Sequence, residues 1–222
     1  MLNKDFFLKE EGDLYYKRNY DLLANKILKK NILIKELEKL LETNNLKSQS
    51  TILEIGCANG INLDYLKKKY PKNKFFGLEP SKLAIRNRVN KKIIIKAGTA
   101  DRIPFSNNSF QVIIFGFCLY LCDDSDLISI FKETDRVLKS GGYIIIEDFF
   151  SSSIIYNSYK HNKKINIRKM DYSRIFTWHP NYTIVIKKIF KYQKYSKNKF
   201  KKLGNLSSLF VIKKNKHKCF SY

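Results

Sequence analysis

The sequence predicts an α/β protein with a seven-stranded, mostly parallel sheet, an N-terminal helical cap and a C-terminal antiparallel hairpin. Three observations support this fold class. Apolar residues in the first 45 positions recur three and four apart, which is the helical period. Between residues 51 and 150 short apolar runs alternate with amphipathic stretches, a pattern typical of right-handed βαβ crossovers. Two further strand-like runs then follow, separated by a lysine-rich linker, and these predict a hairpin at the sheet edge.

Each element has its own local signal. The predicted strands of the alternating part are 51–55, 74–79, 92–96, 110–117 and 143–148, and those of the hairpin are 182–192 and 206–213. The predicted helices between them cover 60–70, which Pro71 ends, 82–90, which Ser81 opens as an N-cap, and 126–139, which Gly141 and Gly142 close. We divide the chain into a helical cap, 1–45, and a main domain, 46–222, whose part 151–222 is basic and faces the substrate.

Composition sets further bounds. With 44% hydrophobic and 14% aromatic residues, the 222-residue chain can form a full core, which excludes a disordered protein. The longest apolar run, Val112–Cys122, is far shorter than the ~20 residues of a membrane-spanning helix. The N-terminus has no apolar signal region, so we expect a cytoplasmic protein. The four cysteines form no CxxC motif and have no nearby histidine at zinc-site spacing, and we expect no metal site.

The formal net charge of +23 is unevenly distributed. Residues 151–222 hold 18 basic groups and one acid, Asp171, so they carry +17 of the total. An AT-rich codon bias explains part of this excess, since 36 of the basic residues are lysines and 7 are arginines. The alternative is function: a basic mouth of the site would attract an anionic acceptor. The scarcity of arginine weakens a nucleic-acid interpretation.

A glycine turn follows the first predicted strand in the segment ILEIGCANG, where Gly56 and Gly60 frame three residues before a helix. Glycines there allow a tight turn and a close approach of ligand to backbone, and the helix N-terminus adds a positive dipole end. Glu79 ends the second strand, where a carboxylate can accept both ribose hydroxyls of an adenosine ligand. The spacing is neither that of a dinucleotide motif nor that of a phosphate loop, which favours a ligand without phosphates.

Over about residues 50–150 these motifs resemble the class I S-adenosylmethionine-dependent methyltransferases. LEIGCANG, GLEPS, GTADRIPFSNNSFQVIIFGFCLYL and RVLKSGGYIIIEDF match the family's motifs in order. The resemblance implies a Rossmann-like fold that binds S-adenosyl-L-methionine. Ala58 replaces a frequent glycine, and Gln111 replaces the usual aspartate after Ser109-Phe110. The implied cofactor-binding residues are Glu54, Gly56, Cys57, Ala58, Gly60, Glu79, Pro80, Ala100, Asp101 and Phe115.

A fainter resemblance links YYKRN, near the N-terminus, and KMDYSRIFTWHPNYT to small bacterial methyltransferases of surface-glycan and nonulosonic-acid gene clusters. It implies that Tyr16, Arg18 and Asn19 form part of a lid over the cofactor, with Arg18 among the cofactor-binding residues. An amphipathic helix packed on the sheet edge is the alternative.

Methyl transfer is an in-line displacement that needs an aligned nucleophile and, for a hydroxyl or amine, a proton acceptor. Our catalytic candidates are His161 and His179, with Asp148 behind them, because they follow the strands that end at the ligand-binding edge. We expect transfer to an oxygen or nitrogen of a small, anionic acceptor such as a nucleotide sugar or glycan precursor. The alternatives are an RNA methyltransferase and a non-catalytic protein that binds S-adenosylmethionine. The sequence specifies neither the acceptor nor the oligomeric state.

Overall fold

A computed structural model of the chain describes residues 3–24, 31–43, 46, 49–191 and 206–216. Seven strands form one mixed sheet in the order β3-β2-β1-β4-β5-β9-β8, and β6 and β7 form a separate antiparallel pair. The strands are β1 (Thr51–Ile55), β2 (Lys74–Glu79), β3 (Ile94–Ala97), β4 (Phe110–Gly116), β5 (Leu138–Phe150), β6 (Ile155–Tyr159), β7 (Asn162–Lys169), β8 (Tyr182–Lys191) and β9 (Leu206–Lys214).

The predicted sheet is confirmed in its directions and its strand count. The five strands from β1 to β5 run parallel, and β9 pairs antiparallel with both β5 and β8. The strand order turns back between β1 and β4. Ligands of open parallel sheets bind beyond the carboxyl ends of the strands at such a reversal. The topology therefore directs attention to the segments after β1, β2 and β4.

The helices are α1 (Asn3–Phe6), a π-helical turn (Phe7–Glu11), α2 (Gly12–Ala24), α3 (Ile32–Glu42), α4 (Ile61–Lys69), α5 (Lys82–Arg86), α6 (Leu127–Val137) and α7 (Arg174–Thr177). Asn31 caps α3 through bonds from the N–H groups of Leu33 and Ile34. The predicted cap Ser81 opens α5 by accepting from the N–H of Ala84. The helix predicted from 82 is shorter than expected, since α5 ends at Arg86.

Two hydrophobic cores lie on opposite faces of the sheet, as the alternation of side chains along a strand requires. In β1, Ile52 packs with α3 and α4 on one face, and Leu53 packs with α6 and α7 on the other. Helix α3 contributes Ile34 and Leu37 to the first core, both fully buried. The second core includes Phe176 of α7. The domain boundary near residue 45 stays a prediction, although α3 shares a core with the sheet.

The segment from 151 to 181 contains no strand or helix predicted from the sequence. It forms the β6–β7 hairpin and the short helix α7. The reason is that the exposed strand β6 has no alternating apolar pattern, since only Tyr159 of its five residues is buried. The lysine-rich linker 193–205 lies outside the described residues. Within the described ranges no helix is both long and apolar enough to span a membrane.

Candidate active site

The glycine turn after β1 is built on left-handed backbone conformations. Gly56, Ala58 and Gly60 have φ values of +72°, +49° and +74°. A Cβ atom on Gly56 would lie 3.0 Å from the Cβ of Cys118, and one on Gly60 would lie 3.0 Å from Cδ1 of Ile95. Both glycines are therefore required by conformation and by space, and alanine at 58 adopts the left-handed region at a modest cost.

Glu79 joins this turn to the end of β2. Its Oε2 accepts from the N–H of Ala58 at 2.8 Å, and its Oε1 accepts from the N–H of Ser81 at 2.9 Å. Burial raises the pKa of Glu79 to about 7, the two backbone hydrogen bonds oppose the shift, and the nearby Glu54 carboxylate adds to it. The carboxylate thus fixes the turn and lines the cavity described below.

The ends of β1 and β4 supply the next part of the site. Glu54, in β1, is buried and accepts a hydrogen bond from Nδ2 of Asn62 in α4. Phe117 follows β4 with a φ of +52°, and its N–H donates to the carbonyl of Glu147 at 2.7 Å. A left-handed conformation is uncommon for a bulky residue and costs of order 1–3 kcal/mol, so the surrounding structure must hold it in place.

The N-terminal segment closes the site from above. Asn3 is buried: its N–H donates to Asp123 at 2.6 Å, and its Nδ2 donates to the carbonyls of Leu121 and Asn166 at 3.0 and 2.9 Å. Lys4 bridges Asp101 at 2.9 Å and Asp126 at 2.7 Å. Hydrogen bonds to these two carboxylates raise the pKa of Lys4. These contacts hold the cap on the loops after β3 and β4.

These elements enclose a cavity of about 440 Å³. Its charge is opposite to that of the whole protein. The one cationic side chain among the described lining residues is Lys4, which is paired with two aspartates. Five carboxylates line the same space: Glu54, Glu79, Asp101, Asp126 and Glu147. Such a site favours a ligand that carries positive charge.

Eight of the eleven predicted cofactor-binding residues line this cavity, namely Glu54, Gly56, Cys57, Ala58, Glu79, Pro80, Ala100 and Asp101. Three do not. Gly60 precedes α4 as its N-cap. Phe115 is fully buried, with its ring 6.2 Å from that of Phe176. Arg18 pairs with the buried Glu11 and donates to the hydroxyl of Tyr159 at 3.1 Å. Their roles toward a cofactor stay predictions.

The three catalytic candidates also lie outside the cavity lining. His161 is exposed in the β6–β7 turn, with its ring 5.3 Å from that of Tyr159. His179 is half-buried beside Phe131, and its Nδ1 accepts from the N–H of Asn181 at 3.2 Å. Nothing in this geometry brings either ring to the cavity, and the histidine base stays a prediction.

Asp148 is fully buried and accepts three backbone hydrogen bonds. Its Oδ2 accepts from Leu119 at 2.9 Å and Tyr120 at 3.3 Å, and its Oδ1 accepts from Phe149 at 2.7 Å. Burial raises the pKa of Asp148 to about 7 against these hydrogen bonds. The observed geometry is that of a residue that positions the 119–121 turn.

Several lining residues were absent from the sequence-based site. They include Lys4, Phe7 and Tyr15 of the cap and Asn62 of α4. A helical period in the first 45 residues shows which face of a helix is apolar, but it does not show which part of the sheet that face covers. The predicted lid residues Tyr16 and Asn19 do line the cavity.

Comparison with known proteins gives the family. Residues 53–146 match a family model described as a methyltransferase domain. The chain contains a methyltransferase domain. An uncharacterised protein of Mycobacterium tuberculosis H37Rv is 31% identical over 94 residues, covering 42% of this chain and 30% of that protein. A demethylmenaquinone methyltransferase of Lactococcus lactis is 30% identical over 103 residues, covering 43% and 40%. The chain therefore spans less than half the length of these relatives.

Among solved structures, a Burkholderia thailandensis 1,6-didemethyltoxoflavin-N1-methyltransferase with S-adenosylhomocysteine bound has the same fold. The TM-score is 0.68 at 12% identity, over 90% of this chain and 84% of that one. The chain thus shares its fold with methyltransferases that use S-adenosyl-L-methionine.

The residues of the methyltransferase domain fit this cofactor. The left-handed turn lines the cavity with the backbone of Gly56, which has no side chain to occupy that space. The carboxylates of Glu54, Glu79 and Asp101 suit a ligand with a sulfonium, an ammonium and a ribose, since they balance its positive charges and accept its hydrogen bonds.

Proposed function

We propose that this chain is an enzyme that transfers a methyl group from S-adenosylmethionine to an oxygen or nitrogen of a small-molecule acceptor. The observation that carries the proposal is the acidic cavity at the carboxyl ends of β1, β2 and β4, in a protein whose net charge is +23. Its position is that of ligand sites in open parallel sheets, and its charge matches a cationic cofactor.

Three carboxylates would hold the cofactor. We assign the ribose hydroxyls to Glu79, because it lines the cavity directly after β2. Ala100 and Asp101 would hold the adenine, and Glu54 and the glycine turn would hold the methionine part. When bound, the cofactor supplies a methyl group whose transfer forms a bond to the acceptor, breaks the carbon–sulfur bond with the electron pair left on sulfur, and releases the acceptor's proton.

The residues of this chain then have three tasks. The cap residues Lys4 and Phe7 close the cavity and exclude water. Phe117 and Tyr15 bound the space in which the acceptor is aligned, and alignment supplies much of the acceleration. Glu147 ends the strand pairing of β4 with β5 and lines the cavity at 9% exposure. We assign its carboxylate as the group that receives the acceptor's proton.

The charge of the acceptor is a separate part of the proposal. The sequence predicts an anionic acceptor from the basicity of residues 151–222. The described cavity lining supports an uncharged or cationic acceptor instead, because its one lysine is already paired with two aspartates and Glu147 is the carboxylate we place beside the acceptor. We therefore propose a neutral hydroxyl compound or an amine as acceptor.

Calorimetry with S-adenosylhomocysteine tests the cofactor assignment. We expect binding to the wild-type protein, and a loss of ~1.5–3 kcal/mol in Glu79→Ala if the carboxylate makes charge-assisted bonds to the ribose. The matched control is Glu42→Ala, which removes an exposed carboxylate of α3 away from the cavity and leaves the affinity unchanged. A wild-type protein that does not bind S-adenosylhomocysteine would refute the proposed function.

A further inference from the structure

Four aromatic residues at one side of the cavity form what we call the aromatic wall: Tyr15 and Phe117 line the cavity, Phe149 packs behind Phe117, and Tyr120 packs against Phe149. The ring of Phe117 lies 5.2 Å from that of Phe149, and the ring of Tyr120 lies 5.0 Å from Phe149 on an edge-to-face approach of 86°. The side chains of Tyr120 and of Tyr15 in the cap are close enough to interact. The wall therefore joins β4, β5 and α2.

Phe117 is the member of the wall that faces the cavity with a strained backbone. At a φ of +52°, glycine or asparagine would have a lower backbone energy than phenylalanine. Strained conformations of this kind cluster at ligand-binding sites. The ring itself is only partly buried and lines the cavity. Its place in the fold thus indicates a contact with a ligand.

Asp148 keeps the wall in position from behind. Its buried carboxylate binds the N–H groups of Leu119, Tyr120 and Phe149, so two of its three donors belong to wall residues. Both wall residues therefore have backbone positions fixed by one side chain. Asp148 is accordingly a positioning residue of this surface.

Glu147 is tied to the wall through its main-chain carbonyl, which accepts from the N–H of Phe117 at 2.7 Å, and both residues line the cavity. The chemistry offered to an acceptor at this end is a flat apolar surface plus one proton-accepting group. A sugar would need many hydrogen-bonding partners, and a nucleotide sugar would also need cations for its phosphates. Among the described lining residues the single cation, Lys4, is bound to Asp101 and Asp126.

We propose that the acceptor is a flat aromatic compound carrying a hydroxyl or amino group, packed against Phe117 with that group directed to Glu147. The inference rests on the proposed function and names the substrate class of the same site. Aromatic rings prefer offset-stacked or edge-to-face packing with other rings, which Phe117 can provide while Phe149 and Tyr120 support it from behind.

Labelled-methyl transfer with two sets of probes tests the substrate class. The aromatic set is catechol, 8-hydroxyquinoline and 2-aminophenol, and the non-aromatic set is UDP-N-acetylglucosamine, glycine and cyclohexanol. Binding of each probe to the protein saturated with S-adenosylhomocysteine is followed in parallel by saturation-transfer NMR. We expect aromatic probes to bind and at least one to be methylated with a kcat/KM tenfold or more above that of any non-aromatic probe.

Variants at Phe117 then locate the contact. Phe117→Leu keeps the bulk and removes the ring, and we expect the KM or NMR-derived Kd of the aromatic probe to rise at least fivefold with the affinity for S-adenosylhomocysteine within twofold. Phe117→Tyr keeps the ring, and we expect its KM and Kd to rise less than those of Phe117→Leu. Phe150→Leu is the control, since Phe150 packs against Phe210, 6.5 Å away, and does not line the cavity.

The outcomes separate the two proposals. A protein that binds S-adenosylhomocysteine but neither binds nor methylates any aromatic probe refutes the aromatic acceptor and leaves the proposed function intact. Methylation restricted to the non-aromatic set, or an unchanged aromatic KM and Kd in Phe117→Leu, refutes it also. If the wild-type protein does not bind S-adenosylhomocysteine, the proposed function itself is refuted.

Discussion

The cofactor cavity and the C-terminal third of the chain carry opposite charge. Five carboxylates and one lysine line the described cavity, whereas residues 151–222 hold 18 basic groups and one acid. In the structure, part of this basic charge is matched by acids elsewhere: Lys188 pairs with Glu36, Lys214 with Asp135, and Arg168 with Asp124. The net charge of a chain thus describes neither the sign of its site nor the free charge of its surface.

The difference between the two regions has a physical origin. A closed cavity acts on its ligand at short range, through groups removed from water, where charges are weakly screened. Exposed lysines act over longer distances and are screened by salt. The negative charge of the cavity lining therefore affects ligand affinity. Part of the positive charge of the C-terminal third forms ion pairs with acids of α3 and α6.

The largest expected effect comes from the turn that forms the cavity. Gly56→Val places a branched side chain at a φ of +72° and against Cys118, so we expect S-adenosylhomocysteine binding to be lost and the free energy of unfolding to fall by several kcal/mol. Gly116→Ala is the control for stability, since its Cβ would meet Leu33 at an ordinary 3.5 Å. Calorimetry and urea unfolding measure the two quantities. If Gly56→Val still binds S-adenosylhomocysteine, cofactor binding does not depend on this turn of the cavity.

The next effect concerns the pairing of the basic region. Burial alone would raise the pKa of Glu36, but hydrogen bonds from Lys188 and Lys39 hold it below its usual range. We expect Lys188→Met to lower the free energy of unfolding by about 1.5 kcal/mol, because Lys39 remains as a partner of the buried carboxylate. Lys191→Met, at an exposed position of the same strand, should change it by less than about 0.5 kcal/mol. Equal effects in urea unfolding would show that the pair is not structural.

A smaller effect is expected in the pH dependence of cofactor binding. The pKa of Glu79 is raised to about 7, so the carboxyl becomes ionised between pH 6 and 8. Only the ionised form accepts hydrogen bonds at both oxygens, and the affinity for S-adenosylhomocysteine should therefore rise by up to about tenfold over this range. Glu79→Gln cannot ionise and should give a flat profile in calorimetry. A falling affinity in the wild-type protein would contradict the assignment.

The same shift has a consequence for stability. A carboxyl whose pKa is raised by folding holds its proton more tightly in the native state, so stability falls as pH rises from the unfolded pKa toward 7. Asp148, with a pKa also raised to about 7, acts in the same direction. Asp148→Asn should flatten the decline in urea-unfolding free energy between pH 4 and 7. If the free energy of unfolding falls equally with pH in Asp148→Asn, other titrating groups cause the fall.

The smallest effect is expected from salt. If the basic third bound RNA as the acceptor, methyl transfer would drop steeply between 50 and 200 mM salt, because each phosphate contact releases counterions. With a small acceptor in the acidic cavity, we expect a change of about twofold or less. Labelled-methyl transfer to the aromatic probes and to total RNA at both salt concentrations measures this directly. Methyl transfer to RNA that falls steeply with salt would show that the basic C-terminal third, and not the acidic cavity, selects the acceptor.

Much of the site could be predicted because its residues follow a local rule. Gly56 and Gly60 are required by backbone conformation, and Glu79 stands at the end of the strand beside them. The histidines were chosen on chemistry and position in the chain alone, which does not fix where a side chain lies after a long connection. The β6–β7 hairpin that carries His161 has an exposed strand, and no apolar period marks it.

The sequence by itself determined the alternation of strands and helices, the direction of the sheet and the glycine turn, since these depend on short-range periodicity and on glycine's access to positive φ. Only the tertiary structure decided that Lys4, Phe7 and Tyr15 close the cavity, that Asp148 supports the aromatic wall, and that the cavity is acidic in a basic protein. The cap contacts join residues far apart in the chain, such as Lys4 and Asp101 at a separation of 97 positions, and they depend on how the cap packs on the sheet.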